Sequence, residues 1–130
     1  MVMTYQSAKV YTGSDWVSLA ASISDSTQRT ILNITGTSYT PSISDAGKAI
    51  VCSNSSSITL TLPPESTTNF VIGQTFVLIQ KGTGVVTVVA GSGVTLHSKS
   101  SYVKTAGQYS EARLIKTASN EWLLSGDLSA

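Results

Sequence analysis

Residues 57–62 alternate strictly between hydroxyl-bearing and aliphatic side chains, and this alternation constrains the fold more than any other feature of the chain. Ile58, Leu60 and Leu62 fall on one face of an extended strand, while Ser and Thr fall on the other. A period of two is typical of a strand that is buried on one face and exposed on the other. The strand ends at a Pro-Pro pair, because proline lacks the backbone N–H that a sheet ladder needs.

Several further apolar runs predict a series of short strands in the middle of the chain. Residues 75–80 are apolar on both faces, which indicates a central strand. The glycine-containing turn at residues 81–84 leads into the β-branched run at residues 85–90, and this pattern predicts a hairpin. A second glycine-containing turn, at residues 91–93, leads into another strand at residues 94–97.

Two more hairpins are predicted, one near each end of the chain. The first pairs residues 8–11 with residues 16–19 across a turn that contains glycine. The second pairs residues 109–116 with residues 121–124 across a four-residue turn. Short strands are also expected at two apolar runs between these hairpins, residues 29–34 and 48–52.

About nine short strands at spacings near ten residues, with almost no helix, predict an all-β fold. The expected architecture is an antiparallel β-sandwich or a jelly-roll-like domain over residues 29–130. A Ser-rich connector without a clear period separates this domain from the first part of the chain. We expect residues 1–28 to form a short N-terminal hairpin or arm.

The chain relies on hydroxyl groups rather than on charges for its polar surface. Ser and Thr supply 39 of the 130 residues, whereas only 12% are charged and the net charge is +1. A nearly neutral chain lacks the cluster of cations on which nucleic-acid binding depends. It also lacks the run of about 18 apolar residues that would span a membrane. The composition therefore predicts a folded domain with neither a nucleic acid nor a membrane as its partner.

The residue types that catalysis and metal binding need are scarce. His97 is the only histidine, so a metal site built on several histidines is not expected. A Ser–His–Asp triad would need Asp45 or Asp127 to orient His97, but the Gly-Ser-Gly at residues 91–93 has the spacing of a turn rather than of a nucleophile loop. Cys52 follows an apolar run, which favours a buried thiol over a partner for His97.

Paired carboxylates are the alternative route to catalysis, as in glycoside hydrolysis. Most of the seven acidic residues lie in predicted turns and connectors. Glu111 and Glu121 fall on the two arms of the C-terminal hairpin, where we expect them to face Arg113 or Lys116 across the strands. The sequence therefore predicts no enzyme activity, no catalytic residues, no metal and no cofactor.

Aromatic rings are the remaining candidates for a binding site, because sugar sites on β domains use Trp or Tyr platforms flanked by polar groups. Trp122 alternates with aliphatic neighbours and is expected in the core. Trp16 closes the N-terminal hairpin and is a candidate for contact with a ligand or with a neighbouring subunit. Tyr102 and Tyr109, on either side of Gly107, are the first choices for ligand contact.

Several short motifs follow one another in the C-terminal two thirds of the chain. They are SDAGK at 44–48, the alternating residues 57–63, VIGQ at 71–74, residues 85–94, GQYS at 107–110 and NEWLLSGDL at 120–128. In this order, over residues 37–128, they resemble a β domain that is widespread in structural proteins of tailed bacteriophages. KVYTGSDWV at 9–17 similarly resembles short motifs of phage fibres and head-surface proteins.

The resemblance implies a virion structural protein, usually a homotrimer, without enzyme activity. Oligomerisation agrees with many short strands, because it covers exposed sheet edges. Since a chain of 130 residues lacks the long shaft of a typical fibre, we expect a head decoration, or cement, protein on the outer surface of the capsid. Residues 1–28 would be its attachment segment, and its partner would be the major capsid protein or another virion protein.

The alternative is a module on the tail fibre that binds a receptor or a glycan on the host surface. The same resemblance covers fibre proteins, and an exposed tyrosine platform would suit a sugar. A third hypothesis is a small cell-surface hydrolase that uses His97, Glu111 and Glu121. These hypotheses differ in where the protein sits on the particle and in what its exposed rings contact.

Overall fold

A computed structural model of the chain describes the backbone of residues 9–11 and 16–18 and all atoms of residues 28–130. Short strands and two single 3₁₀ turns, Ile43–Asp45 and Lys99–Ser101, make up the regular structure of this part. None of its helical segments has the length and apolar character to cross a membrane. The strands are β1 (Lys9–Tyr11), β2 (Trp16–Ser18), β3 (Ile31–Ile34), β4 (Ser38–Tyr39), β5 (Ala49–Cys52), β6 (Ile58–Leu62), β7 (Thr75–Gln80), β8 (Val86–Ala90), β9 (Thr95–Ser98), β10 (Lys104–Thr105), β11 (Glu111–Ala118), β12 (Glu121–Gly126) and β13 (Leu128–Ser129).

β1 and β2 form a small antiparallel hairpin. Lys9 lies opposite Ser18, and Tyr11 lies opposite Trp16. This pairing confirms the hairpin that the sequence predicts near the N-terminus. The connector at residues 20–28 and the proposed attachment role of residues 1–28 fall largely outside the described residues. The side chain of Trp16 does so too, and its contact with a ligand or subunit stays a prediction.

The other strands form two sheets that share one core, which confirms the predicted all-β, sandwich-like class. One sheet has five strands in the order β13-β10-β8-β6-β4, and the other has six in the order β3-β5-β7-β11-β12-β9. From β3 to β8 the chain alternates between the sheets, and each strand lies parallel to the strand two earlier. This half of the domain therefore consists of three coils stacked side by side.

The C-terminal strands complete both sheets, mainly with antiparallel pairs. β11 pairs antiparallel with β7 and with β12, and β10 does so with β8 and with β13. β9 leaves the coils and lies parallel to β12 at the far edge of the six-stranded sheet. The predicted hairpin of β11 and β12 is confirmed, with Leu114 opposite Leu124.

The predicted hairpin across residues 81–84 is wrong, and the sheets are mixed rather than purely antiparallel. β7 and β8 lie in different sheets, and so do β8 and β9, so residues 81–84 and 91–93 carry the chain from one sheet to the other. Alternation records which faces of a strand are buried, but it does not record which strand lies beside it. Parallel neighbours need a crossover of a dozen or more residues, and here the strand in the opposite sheet is part of that crossover.

The crossing from β7 to β8 lies directly against the preceding crossing from β5 to β6. The N–H of Gly82 donates to the carbonyl of Cys52 at 3.1 Å, and the N–H of Gly84 donates to the carbonyl of Asn54 at 2.8 Å. A Cβ on Gly84 would lie 1.9 Å from the carbonyl oxygen of Ser56. Only glycine allows the two backbones to approach this closely. The glycines of this segment therefore serve the stacking of coils rather than a hairpin turn.

Aliphatic and aromatic side chains from both sheets fill the space between them. The alternation of β6 is confirmed, because Leu60 is fully buried and Thr59 is exposed. Trp122 is buried, as predicted, and packs edge-on against Phe70 with ring centroids 5.8 Å apart. Phe70 in turn packs edge-on against Phe76 at 5.3 Å. Edge-to-face geometry is favourable in itself and fixes the orientation of the rings.

Cys52 is buried at the end of β5 and belongs to this core. Burial raises the pKa of its thiol to about 11. Because the thiolate is the reactive form, the thiol is unreactive at neutral pH. The prediction that Cys52 is a small buried hydrophobe is confirmed.

Candidate functional site

Between β12 and β13 the chain turns sharply from the six-stranded sheet to the five-stranded one. Gly126 has a φ of 121° at this corner, and a Cβ there would lie 2.6 Å from the carbonyl oxygen of Glu111. Glycine therefore lets β12 stay close to β11 up to its last residue. The N–H of Asp127 donates to the Glu111 carbonyl at 3.0 Å, and the Asp127 carbonyl accepts from Ala106 at 3.0 Å. The corner is thus held on two sides by backbone hydrogen bonds.

An apolar groove with a volume of about 500 Å³ lies at this corner. Its apolar lining includes Tyr102, Leu123 and Leu128, and its polar members include Lys99 and Ser125. Leu123 points away from the core and is 39% exposed, while Tyr102 is 38% exposed. A concave surface that is mainly apolar, with a few polar groups, is suited to bind a bulky apolar side chain or the apolar face of a ligand.

A polar depression of about 390 Å³ adjoins the apolar groove and shares Ser125 and Gly126 with it. Its charged members are Glu111, Arg113 and Asp127. Glu111 and Arg113 are two residues apart on β11, so both point to the outer face of the sheet. This depression offers hydrogen-bond donors and acceptors next to the apolar groove.

Of the predicted contact residues, the structure places Tyr102 in the apolar groove and Tyr109 outside its lining. Tyr109 is 72% exposed and has a φ of 70°, which is unusual for a tyrosine. Its N–H donates to the carbonyl of Gln80 at 2.5 Å, so the backbone of Tyr109 is anchored to the end of β7. Ligand contact at these tyrosines stays a prediction.

The candidate catalytic residues do not come together. Cys52 and His97 lie on β5 and β9, which are separated by β7, β11 and β12 in the six-stranded sheet. His97 is exposed, and its Nε2 is 4.0 Å from Oε1 of Glu121. Across residues 28–130 and the two short strands before them, no group of three or more His, Cys, Asp or Glu side chains has the arrangement of a metal site.

Asp45 is the buried last residue of the first 3₁₀ turn, where it accepts a hydrogen bond from the hydroxyl of Tyr39. The N–H of Ser42 donates to the same carboxylate at 2.9 Å, and Nζ of Lys48 lies 3.6 Å from it. Burial by itself would raise the pKa of Asp45, but the hydrogen bonds from Tyr39 and Ser42 and the charge of Lys48 lower it overall. Burial, together with Asp45, raises the pKa of Tyr39 to about 12. The carboxylate therefore stabilises this turn rather than orienting a histidine.

The predicted pairing of Glu111 and Glu121 with Arg113 or Lys116 is wrong. Lys116 is buried on the inward face of β11, and its Nζ lies 2.7 Å from Oε2 of Glu65. Glu121 instead accepts a hydrogen bond from a neighbouring threonine hydroxyl. Within residues 28–130, neither Glu111 nor Arg113 forms an ion pair.

Lys116 is the centre of a polar cluster that ties the loop between β6 and β7 to the turn between β11 and β12. We call this cluster the lysine latch. Nζ of Lys116 donates to the carbonyl of Phe70 at 2.5 Å and pairs with Glu65. Glu65 also accepts from the hydroxyl of Ser119 at 2.9 Å and from the N–H of Asn120 at 3.1 Å. Because a buried ammonium is tolerated only with such partners, the latch fixes both segments.

The loop held by the lysine latch exposes two branched aliphatic side chains, Val71 and Ile72, which we call the apolar tip. Val71 is 69% exposed and Ile72 is 65% exposed. The N–H of Gly73 donates to the Lys116 carbonyl at 2.7 Å, and the N–H of Gln74 donates to the Val71 carbonyl at 3.0 Å. The tip is thus an exposed apolar feature on a turn whose backbone is anchored by hydrogen bonds.

Comparison with known proteins does not assign the chain to a family. A scan against protein-family models and a search of the curated proteins both find no match. The candidate contact features of the described residues are the apolar groove, the polar depression and the apolar tip.

Replacement of Lys116 by Met is expected to destabilise the β domain by about 2 kcal/mol, because it leaves the Phe70 carbonyl without its donor inside the domain. Urea unfolding followed by circular dichroism measures the change. Arg113→Met is the matched control, since it removes an exposed cation from the same strand, and it should cost less than about 0.5 kcal/mol. Equal losses in the two variants would contradict a structural role for the lysine latch.

The lysine latch should also make stability depend on pH. The hydrogen bond from Lys116, followed by those from Ser119 and Asn120, lowers the pKa of Glu65 in the folded state. The resulting stabilisation is present above the pKa of Glu65 in the unfolded chain and is lost as the pH falls through the folded-state pKa. The stability gap between the wild type and Lys116→Met should therefore narrow on acidification, as measured by the same urea titration at a series of pH values.

Proposed function

We propose that the chain is a structural protein of a bacteriophage virion, a trimeric head decoration protein that binds the outer surface of the capsid. The observation that carries the proposal is a hydroxyl-rich, nearly neutral sandwich that exposes anchored apolar contact features. The resemblance of the motifs to phage β domains is the reason for proposing a bacteriophage virion. Such a protein acts by binding, and it needs contact surfaces rather than a reaction centre.

The motifs of the resemblance coincide with segments that build the sandwich and its surface. Residues 57–63 include β6, an inner strand of the five-stranded sheet between β8 and β4. VIGQ at 71–74 comprises the apolar tip and its turn, and NEWLLSGDL at 120–128 comprises β12 and the corner beside the apolar groove. Positions of this kind support a role in architecture and contact.

The exposed aliphatic side chains support protein partners. Besides the apolar tip, Ile31 and Ile43 are exposed on the described domain. The cores of protein interfaces are apolar and depleted in charge, which fits a chain with 12% charged residues. The proposed partner is the major capsid protein or another virion protein, and the proposed attachment segment is residues 1–28.

The proposed mechanism is thermodynamic linkage. A protein that binds the assembled shell, and does not bind the separated subunits, stabilises the shell by the free energy of that binding. Because each additional bound copy adds to the total, a modest affinity at many sites protects the particle against heat and osmotic shock. Homotrimers would suit shell positions at which three subunits meet.

Electron microscopy of intact particles tests the proposal directly. We expect density for the domain over the capsid surface in hundreds of copies, and we expect particles that lack the protein to open at a lower temperature. A few copies located on the tail would refute the decoration role. That result would favour the fibre-associated receptor or glycan module, for which the apolar groove with Tyr102 beside a polar depression is the supporting observation.

A further inference from the structure

We infer that the lysine latch is a site of covalent cross-linking, in which Lys116 forms an amide bond with the side chain of Asn69 while Glu65 transfers the protons. The inference concerns the β domain alone and does not depend on where the protein sits on a particle. It is carried by the arrangement around one buried amino group, where a carboxylate and a carboxamide both lie in contact with the same nitrogen atom.

Within residues 28–130 the amino group of Lys116 has three partners, and one of them is an electrophile. Nζ lies 2.7 Å from Oε2 of Glu65, 2.5 Å from the carbonyl oxygen of Phe70 and 3.5 Å from Oδ1 of Asn69. Because a carbonyl bond is about 1.2 Å long, the amide carbon of Asn69 lies within about 5 Å of Nζ. Asn69 is exposed, and a small rotation of its side chain would bring that carbon to the roughly 3 to 3.5 Å from which attack occurs.

Lys116 lies beside the aromatic cluster of the core. It is directly opposite Trp122 in the ladder of β11 and β12, and both side chains are buried. The ring of Phe70 packs on Trp122 in turn. In apolar surroundings a neutral amine and a neutral acid lose less hydration than an ammonium and a carboxylate do. The neutral pair is therefore closer in energy to the ion pair than it would be in water, and the neutral amine has the lone pair that nucleophilic attack needs.

Glu65 is placed to move protons to and from this nitrogen. The hydroxyl of Ser119 and the N–H of Asn120 hold its carboxylate in position, at 2.9 Å and 3.1 Å. The hydrogen bond from Lys116, followed by those from Ser119 and Asn120, lowers the pKa of Glu65, so the protonated acid is a minor form and the reaction is slow. A slow reaction is sufficient, because the bond forms only once in each molecule.

The reaction exchanges one amine for another on the amide carbon of Asn69. Glu65 takes a proton from the ammonium group of Lys116, and the freed lone pair of Nζ attacks the carbon while the carbonyl electrons move to Oδ1. When those electrons return, the bond from the carbon to Nδ2 breaks. Glu65 carries two protons in turn from Nζ to the departing nitrogen, which leaves as ammonium. The products are the new amide, one ammonium ion and the original carboxylate, so no other reactant is required.

The exposure of Asn69 favours completion of the reaction, because the ammonium ion escapes directly into water. The new bond would join two residues that are 47 positions apart in the chain. A covalent link over this distance restricts the unfolded chain, as a disulfide does, and should raise the unfolding temperature. It would also fix the loop that carries the apolar tip permanently to the turn between β11 and β12.

Mass spectrometry of the denatured full chain is the first test. The wild type, stored after purification, should be lighter than the mass of its sequence by one molecule of ammonia. Asn69→Ala should have its full sequence mass, although the exposed position leaves the fold and the pair of Lys116 with Glu65 intact. Glu65→Gln should also have its full mass. Glu111→Gln is the matched control, since it makes the same change at an exposed glutamate of β11 outside the latch, and it should lose ammonia as the wild type does.

Digestion with trypsin locates the bond. Trypsin cuts after lysine and arginine, and it does not cut after a lysine whose side chain is part of an amide. Residues 49–81 and 114–130 should therefore remain joined in one branched peptide of the wild type. Asn69→Ala should release residues 49–81 as a separate peptide. Because Asn69→Ala keeps the ion pair and cannot form the bond, it is also the background in which Lys116→Met measures the ion pair alone.

The rate of bond formation tests the role of Glu65 without disturbing the fold. Ser119→Ala removes an exposed hydroxyl that donates to the Glu65 carboxylate. The carboxylate becomes a stronger base, so the branched peptide should accumulate faster than in the wild type after cell-free synthesis. A part that is merely structural would give the opposite result, because loss of a hydrogen bond loosens the latch.

Several results would overturn the inference. A wild type that keeps its full sequence mass on storage would do so, as would a loss of ammonia that persists in Asn69→Ala or a branched peptide that joins other residues. Ammonia loss in Glu65→Gln, or an unchanged or slower rate in Ser119→Ala, would exclude Glu65 as the group that transfers the protons. None of these measurements involves a virion, so they are independent of the proposed decoration role.

Discussion

Replacing Leu60 by Asp will prevent the β domain from folding. Leu60 is fully buried in β6, a strand with neighbours on both sides in the five-stranded sheet, and it faces the core shared with the other sheet. A carboxylate at this position has no partner within the core, and burying it without one costs about 5 kcal/mol or more. Because a small domain is stable by only about 5 to 15 kcal/mol, we expect insoluble expression and no sheet signal in circular dichroism.

Thr59→Asp is the control for this prediction. Thr59 is the preceding residue on the same strand, and its side chain lies on the exposed face. It carries the same new charge at almost the same place in the chain, so it should express in soluble form with stability within about 1 kcal/mol of the wild type. Soluble, folded Leu60→Asp would mean that the inward face of β6 has been assigned to the wrong residues.

Gly84→Ala is expected to destabilise the domain by about 3 kcal/mol, a large effect for one methyl group. The added Cβ would lie 1.9 Å from the carbonyl oxygen of Ser56 and 2.8 Å from that of Asn54. Both atoms belong to the backbone of the preceding crossing, so no side-chain rotation relieves the overlap. The two crossings must separate, which weakens the hydrogen bond from Gly84 to Asn54 and the parallel pairing of β6 with β8.

Gly107→Ala isolates this packing effect from the general effect of replacing glycine. A Cβ at Gly107 meets no atom of the described residues within 4 Å. By limiting the unfolded chain, alanine there should be neutral or stabilising by up to about 1 kcal/mol. Urea midpoints of the two variants measure the difference, and similar midpoints would show that residues 82–84 are not held against the preceding crossing.

The sequence was sufficient to predict which face of β6 is buried, and insufficient to predict which strands are neighbours. The alternation of β6 and the burial of Trp122 follow from local pattern, and both are observed. The parallel stacking of the coils leaves no comparable pattern in the sequence. Ile31 lies beside Ala49 and Ala49 lies beside Val77, so successive coils are 18 and 28 residues long. A fixed period in the sequence is the usual sign of stacked repeats. Coils of unequal length have no such period.

The surface features, too, were only partly predictable from the local sequence pattern. Tyr102 could be singled out as an exposed ring, but the groove around it depends on a corner between two sheets that only the pairing of β12 reveals. The sequence does contain a signal for the burial of Lys116, because this residue alternates in phase with the apolar residues of β11. The signal conflicts with the general preference of lysine for the surface. The apolar tip could not be predicted, because a short apolar stretch in a loop has the same pattern as the start of a strand.

The position of β9 has a consequence for the order in which the domain assembles. Among the described strands, β9 pairs only with β12, which is synthesised more than twenty residues later. This pairing lies at the edge of the six-stranded sheet, beyond β11. During synthesis the three coils can therefore pair as they emerge from the ribosome, while β9 has no strand to bind until the hairpin of β11 and β12 is in place. Pairing between residues far apart in the chain is slow. We therefore expect the last step of folding to be the pairing of β9 with the hairpin of β11 and β12, which also forms the apolar groove.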